Sequence, residues 1–116
     1  MLPEQLHWIC FGVGAWVALN GVLHTIAVMN QHKGAYTREY MRLLMDGLLL
    51  VLCGAIQMVS HPLIGERQPA GFILAGIASA GLFIYTLLIY PFLKSFFTMI
   101  INVALLILLT IGYVSL

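Results

Sequence analysis

The sequence predicts an all-α integral membrane protein, an antiparallel four-helix bundle with both termini on the same side of the bilayer. Hydrophobic residues make up 62% of the 116 residues and charged residues only 8%, whereas a soluble domain has roughly 45–50% apolar and about 25% charged residues. Four apolar stretches each approach the roughly 20 residues that a helix needs to cross a bilayer core. The composition therefore excludes a soluble globule and a disordered chain. The net charge of +1 leaves no basic surface for nucleic acid.

The four predicted spans follow one another along a single domain that covers residues 1–116. They comprise residues 6–29, 43–60, 70–90 and 96–114. Pro62 and Pro69 lie in the second connection and Pro91 follows the third span, and proline is disfavoured inside helices. The first span lacks a basic start and exceeds the usual length of a signal-peptide core, so we expect it to be retained.

The basic residues of the short connections predict the orientation. Lys33, Arg38 and Arg42 lie between spans one and two and Lys94 lies between spans three and four, whereas the opposite side has only Arg67. Basic loops favour the cytoplasmic side. We therefore expect both termini on the non-cytoplasmic side of an inner or plasma membrane.

The third span is expected to be the main packing helix. Its small residues are Gly71, Ala75, Gly76, Ser79, Ala80 and Gly81, and small residues let neighbouring backbones approach in membranes. We expect this face to pack within one bundle rather than to form a dimer. Cys10 and Cys53 are interpreted as two buried thiols, with a disulfide as the alternative.

Polar residues of all four spans are predicted to lie at one depth toward the cytoplasmic side. These residues are His24, Asp46, Tyr85 and Asn102, joined on the same helix faces by Asn20 and Arg42. Ionisable groups inside a membrane are functional candidates. One interpretation is a site in which His24 and Asp46 are the candidate catalytic residues and Asn20, Arg42, Tyr85 and Asn102 contact the ligand. The other is that these groups satisfy one another and fix the helix register.

No motif identifies a cofactor. The chain has no Cys-x-x-Cys pair, zinc-binding His-Glu-x-x-His helix or phosphate-binding glycine loop, so no metal site is predicted. His7 and His61 lie near the outer ends of their spans, where two histidines at matching depth would suit haem. Quinone and haem both stay open as cofactors.

Two runs resemble the DoxX-like family of four-helix membrane proteins. The run from Asn20 to His24 ends a glycine-containing first span, and the run from Asp46 to Gly54 starts the second with an acidic residue followed by Gly-Leu-Leu. The resemblance implies an antiparallel four-helix fold and membership of membrane redox or assembly complexes. This chain departs from the family pattern because Asp46 replaces the more usual glutamate and no basic residue closes the first span.

The sequence therefore predicts an accessory or assembly subunit of a larger membrane complex, with a relation to redox chemistry implied by the resemblance. Its expected partners are the lipid bilayer and other membrane subunits or a second copy of the chain. The first alternative is a small membrane enzyme or a binder of a lipophilic ligand such as a quinone, acting through His24 and Asp46. The second is a transporter or channel that acts as an oligomer.

Overall fold

The computed structural model describes residues 2–31, 33–89 and 96–116, with side chains from Gln5 onward. Its helices are α1 (Leu2–Gln31), α2 (Arg38–Val59), α3 (His61–Gly65), α4 (Pro69–Ile89) and α5 (Phe96–Val114). By length and composition, four stretches can cross a membrane: Gln5–Gln31, Arg38–Gly65, Pro69–Ile89 and Phe96–Val114. The predicted all-α fold with four long apolar helices is confirmed. Tyr90, Pro91 and Lys94, on which the predicted third span and the charge bias partly depend, lie outside the described residues.

The first two long helices begin earlier than their apolar runs. The α2 helix begins at Arg38, after Thr37, whose hydroxyl oxygen accepts a hydrogen bond of 3.2 Å from the backbone N–H of Tyr40. Such an N-cap satisfies one of the unpaired donors of a first helical turn. The helix therefore starts where a polar residue caps it, five residues before the predicted second span begins at residue 43.

The second connection contains a short helix that the sequence did not predict. Pro62 lies in the first turn of α3, where its missing N–H costs no intrahelical hydrogen bond. The chain then turns at Arg67, which has a φ of 60°, and α4 begins at Pro69. The two prolines start helices here rather than only ending them.

The long helices form a ring of neighbours. The α1 helix packs against α2 and α5, and α4 packs against α5 and α2, while α3 lies across α1 and α4. The molecule is elongated, with extents of 51 × 25 × 18 Å. We call the end of the bundle that contains α3 the α3 end.

Two glycine pairs bring α1 and α2 into close contact. A Cβ on Gly14 would lie 2.6 Å from the carbonyl oxygen of Gly54, and a Cβ on Gly21 would lie 2.8 Å from that of Gly47. Real side chains do not fit at such distances, so only glycine permits this approach. Residue numbers rise along α1 as they fall along α2, and the two glycines of each helix are seven residues apart.

The small residues of α4 behave differently from the expectation. Gly71 packs against Leu63 and Ile64 of the α3 region, but a Cβ on Gly76 or Gly81 would meet no atom within 4 Å. The prediction that these two glycines mark a close helix contact is therefore wrong. The closest approach between two long helices that depends on glycine in the described chain is the α1–α2 contact.

The buried apolar residues form two clusters. The cluster at the α3 end contains Leu6, Cys10, Ile64, Phe72, Ala75, Leu105 and Leu109. The second contains Val17, Cys53, Ala78 and Leu82. Cys10 and Cys53 thus belong to different clusters, and both are buried free thiols.

Candidate functional site

A pocket of about 550 Å³ lies between α1, α2 and α4 at the end of the bundle opposite α3. We call it the His24 pocket. Its lining residues are His24, Glu39, Arg42, Leu43, Met45, Asp46 and Ile89. Three of the six candidates chosen from the sequence, His24, Arg42 and Asp46, therefore share one pocket. Glu39 was not among the residues predicted from the sequence, although an acidic side chain in the first turn of α2 was the available signal.

The His24 ring is held in place by the backbone of α2. Its Nε2 lies 3.0 Å from the carbonyl oxygen of Leu43. A carbonyl oxygen only accepts hydrogen bonds, so Nε2 carries the proton and donates. In the neutral ring, Nδ1 is then the acceptor nitrogen.

The Asp46 carboxyl connects the histidine with α4. It lies within electrostatic range of the His24 ring and of the Tyr85 hydroxyl. Both Asp46 and Tyr85 are half-buried. The histidine, the carboxylate and the phenol therefore come from three helices into one neighbourhood, although Tyr85 does not line the pocket.

The two asparagines predicted for the same site lie elsewhere. The amide of Asn20 donates a hydrogen bond of 2.7 Å to the carbonyl oxygen of Trp16, one turn earlier on α1. Asn102 is fully buried among other helices, where it bonds to Gln57. Neither lines the His24 pocket.

Gln57 forms the centre of a buried polar cluster that the sequence analysis missed. Its Nε2 donates hydrogen bonds of 2.9 Å to Ser79 Oγ and of 2.9 Å to Asn102 Oδ1. All three side chains are fully buried. We call these three residues the Gln57 cluster; it joins α2, α4 and α5.

The direction of the bonds in the Gln57 cluster is fixed by the backbone of α5. The Nδ2 of Asn102 donates to the carbonyl oxygen of Thr98 at 2.8 Å, so its Oδ1 faces Gln57 as an acceptor. Gln57 must then present its NH₂ group. Its Oε1 is buried and accepts no hydrogen bond among the described residues.

A pair of histidines lies at the α3 end, far from the His24 pocket. His7 Nδ1 and His61 Nδ1 are 3.2 Å apart, with ring centroids 5.4 Å apart and planes inclined by 15°. The ring centroids are further apart than the two Nδ1 atoms by about one ring diameter, which is half a diameter for each ring. Both Nδ1 atoms therefore lie close to the line between the centroids, and the rings meet edge to edge. From the sequence this pair was a candidate for haem ligation; in the structure the two nitrogens contact each other directly.

Larger metal sites are not formed in the described part of the chain. No group of three or more His, Cys, Asp or Glu side chains comes together there to hold an ion.

The fold and composition fit the class of a small helical membrane protein, because four helices are long and apolar enough to cross a bilayer. Comparisons with protein-family models, curated proteins and solved structures give no match. The resemblance to DoxX-like proteins therefore stays a prediction from the two sequence runs.

Proposed function

We propose that this protein binds a lipophilic ligand with a polar head group in the His24 pocket. The observation that carries the proposal is the meeting of His24, Arg42 and Asp46 on the walls of an open pocket of about 550 Å³. Ligand pockets commonly have roughly 300–1,000 Å³ and mostly apolar walls with a few convergent polar groups. Leu43, Met45 and Ile89 provide such apolar walls.

The tautomer of the neutral His24 ring favours a head group that donates a hydrogen bond. Because Nε2 donates to Leu43, the neutral ring offers Nδ1 as an acceptor, and the Asp46 carboxylate is a second acceptor. A hydroxyl head group such as that of a quinol can donate to either. If the hydroxyl transfers its proton to Nδ1, its O–H bond breaks and leaves a quinolate anion. The Asp46 carboxylate then stabilises the imidazolium, and Arg42 on the same pocket wall is the cation available to the quinolate.

The experiment is equilibrium binding of a short-chain benzoquinol to the purified protein in detergent micelles. We expect His24→Ala and Asp46→Asn each to weaken binding about ten- to hundredfold, because a hydrogen bond to a charged group contributes about 1.5–3 kcal/mol. Asn20→Ala is the matched control: Asn20 lies one turn from His24 but bonds to its own helix. Unchanged affinity in both pocket variants would exclude this site.

The second candidate function is the accessory subunit. An apolar groove of about 430 Å³ between α1 and α2 favours it; the groove is lined by Val22, Thr25, Ile26, Leu44, Leu48 and Val51. A partner helix or a second copy of the chain can pack there. Native mass measurement after mild detergent extraction tests this role. The accessory role would be contradicted if the protein is a monomer and if deleting it leaves every membrane complex unchanged.

The transporter alternative is tested by measuring solute flux into vesicles that contain the reconstituted protein.

We further propose an antiparallel bundle in an inner or plasma membrane, with both termini on the non-cytoplasmic side. Opposite residue numbering across the α1–α2 glycine pairs supports the antiparallel arrangement of that hairpin. The excess of Lys and Arg in the first connection supports the orientation.

A further inference from the structure

The geometry points to a two-histidine binding site for a divalent transition-metal ion at the α3 end, formed by His7 and His61. The two Nδ1 atoms are 3.2 Å apart and come from different helices, α1 and α3. This site is separate from the His24 pocket. His7 and His24 are 17 positions apart on α1, which corresponds to about 25 Å along a helix.

The nitrogen separation suits two ligands of one metal ion. Zinc binds histidine nitrogen at about 2.0–2.1 Å, usually in a tetrahedral arrangement, and two such ligands are then about 3.3 Å apart. The observed separation of 3.2 Å therefore needs little movement of the backbone. The two rings must turn so that both lone pairs point to a common position beside the line that joins them.

Aromatic side chains hold both rings close to this arrangement. The Trp8 ring centroid lies 4.9 Å from that of His7 and 5.1 Å from that of His61. Phe11 contacts His61 edge-on with centroids 5.0 Å apart. The histidines are thus positioned by packing before any ion binds.

One ring of the pair can change its tautomer when an ion binds, and both rings then keep one N–H proton and stay neutral. In the ion-free pair, one neutral ring donates through Nδ1–H and the other accepts through Nδ1. When an ion binds, the donating ring moves its proton to Nε2 by exchange with solvent, so that both Nδ1 lone pairs become available.

The donor set defines the class of ion. Imidazole nitrogen suits zinc, copper and nickel, and Cu²⁺ binds most tightly among the divalent ions of this series. Mg²⁺ prefers oxygen ligands and should not bind. With two protein ligands, the remaining positions are open to water or to another ligand.

The test is titration of Cu²⁺ into the purified full chain in micelles, monitored by tryptophan fluorescence and by bound copper content. We expect Cu²⁺ to quench Trp8, which contacts both histidines, and a chelator to restore the signal. His7→Gln and His61→Gln should each weaken the apparent Cu²⁺ affinity about tenfold or more, since even the loss of an outer-shell partner of a metal ligand costs about 10–100-fold. Trp8→Phe should abolish most quenching while copper content stays unchanged.

Two controls show whether His7 and His61 themselves hold the ion. His32→Ala removes a histidine from another part of the sequence and should leave Cu²⁺ binding unchanged. Circular dichroism reports whether each glutamine variant keeps its helices. If the folded double variant His7→Gln/His61→Gln binds Cu²⁺ as tightly as the unaltered protein, the pair only shares a proton and the metal site is excluded.

Discussion

Gln57 connects three helices through a single amide group. Its NH₂ group is bonded to Ser79 and Asn102, both fully buried. In membranes, helices gain little from apolar contact with one another, and interhelical hydrogen bonds contribute about 0.6 kcal/mol on average and up to about 1.7 kcal/mol. The Gln57 cluster therefore fixes the relative positions of α2, α4 and α5 more than it adds to stability.

Asn102→Leu should destabilise the fold by about 1 kcal/mol, because one N–H of Gln57 is left without its acceptor. The double variant Asn102→Leu/Gln57→Met should be destabilised by less than the sum of the two single substitutions. The apolar pair has no polar group at either position that could be left without a partner. Reversible unfolding in mixed micelles measures both effects. Thr110→Val is the control, because the hydroxyl of the exposed Thr110 donates to the carbonyl oxygen of Leu106 in its own helix. Strict additivity would show that Gln57 and Asn102 are not coupled.

The candidate site was only partly predictable at the level of residues. His24 and Asp46 could be found because ionisable groups are rare in apolar runs. Asn20 lies four residues from His24, and Asn102 was predicted at the same depth, yet their side chains form other hydrogen bonds. Gln57 escaped notice because it is uncharged and lies two residues before the end of α2, away from the depth at which the other polar residues were predicted.

The α1–α2 contact leaves no room for a side chain at its glycines. A Cβ on Gly54 would lie 2.6 Å from the backbone nitrogen of Ala18. We expect Gly14→Ala and Gly54→Ala each to lower the free energy of unfolding by about 1–3 kcal/mol, the usual cost of overpacking. Gly12→Ala is the matched control: open space surrounds Gly12, and alanine raises helix propensity by about 1 kcal/mol. Equal responses of Gly12 and Gly14 in an unfolding titration would contradict the close contact.

The long helices followed from the sequence more directly than the contacts between them. The last predicted span, residues 96–114, coincides with α5, because apolar length alone defines such a helix. The α3 helix was missed because five residues give no periodic signal. The pairing of Gly14 with Gly54 and Gly21 with Gly47 depends on the three-dimensional register, which spacing within one helix does not determine.

At the scale of the whole molecule, the proposed orientation makes a labelling prediction. Ala35 and Glu66 are exposed at connections on opposite sides of the second span, and the native thiols of Cys10 and Cys53 are buried, so background labelling should be low. In intact cells, a membrane-impermeant maleimide should label Glu66→Cys but label Ala35→Cys only after permeabilisation. The reverse pattern would invert the proposed orientation, and labelling of both sites in intact cells would contradict the span between them.

The register of α1 against α2 ties the two ends of the molecule together mechanically. His7 meets His61 at one end, His24 meets Leu43 at the other, and glycine pairs lie between them. A piston-like slide of α1 would pull both histidines away from their partners at once, and the carbonyl oxygens at the glycine contacts would resist it. The α1 and α2 helices therefore move together along their axes. A displacement of α1 at the His7–His61 end is transmitted to the His24 end.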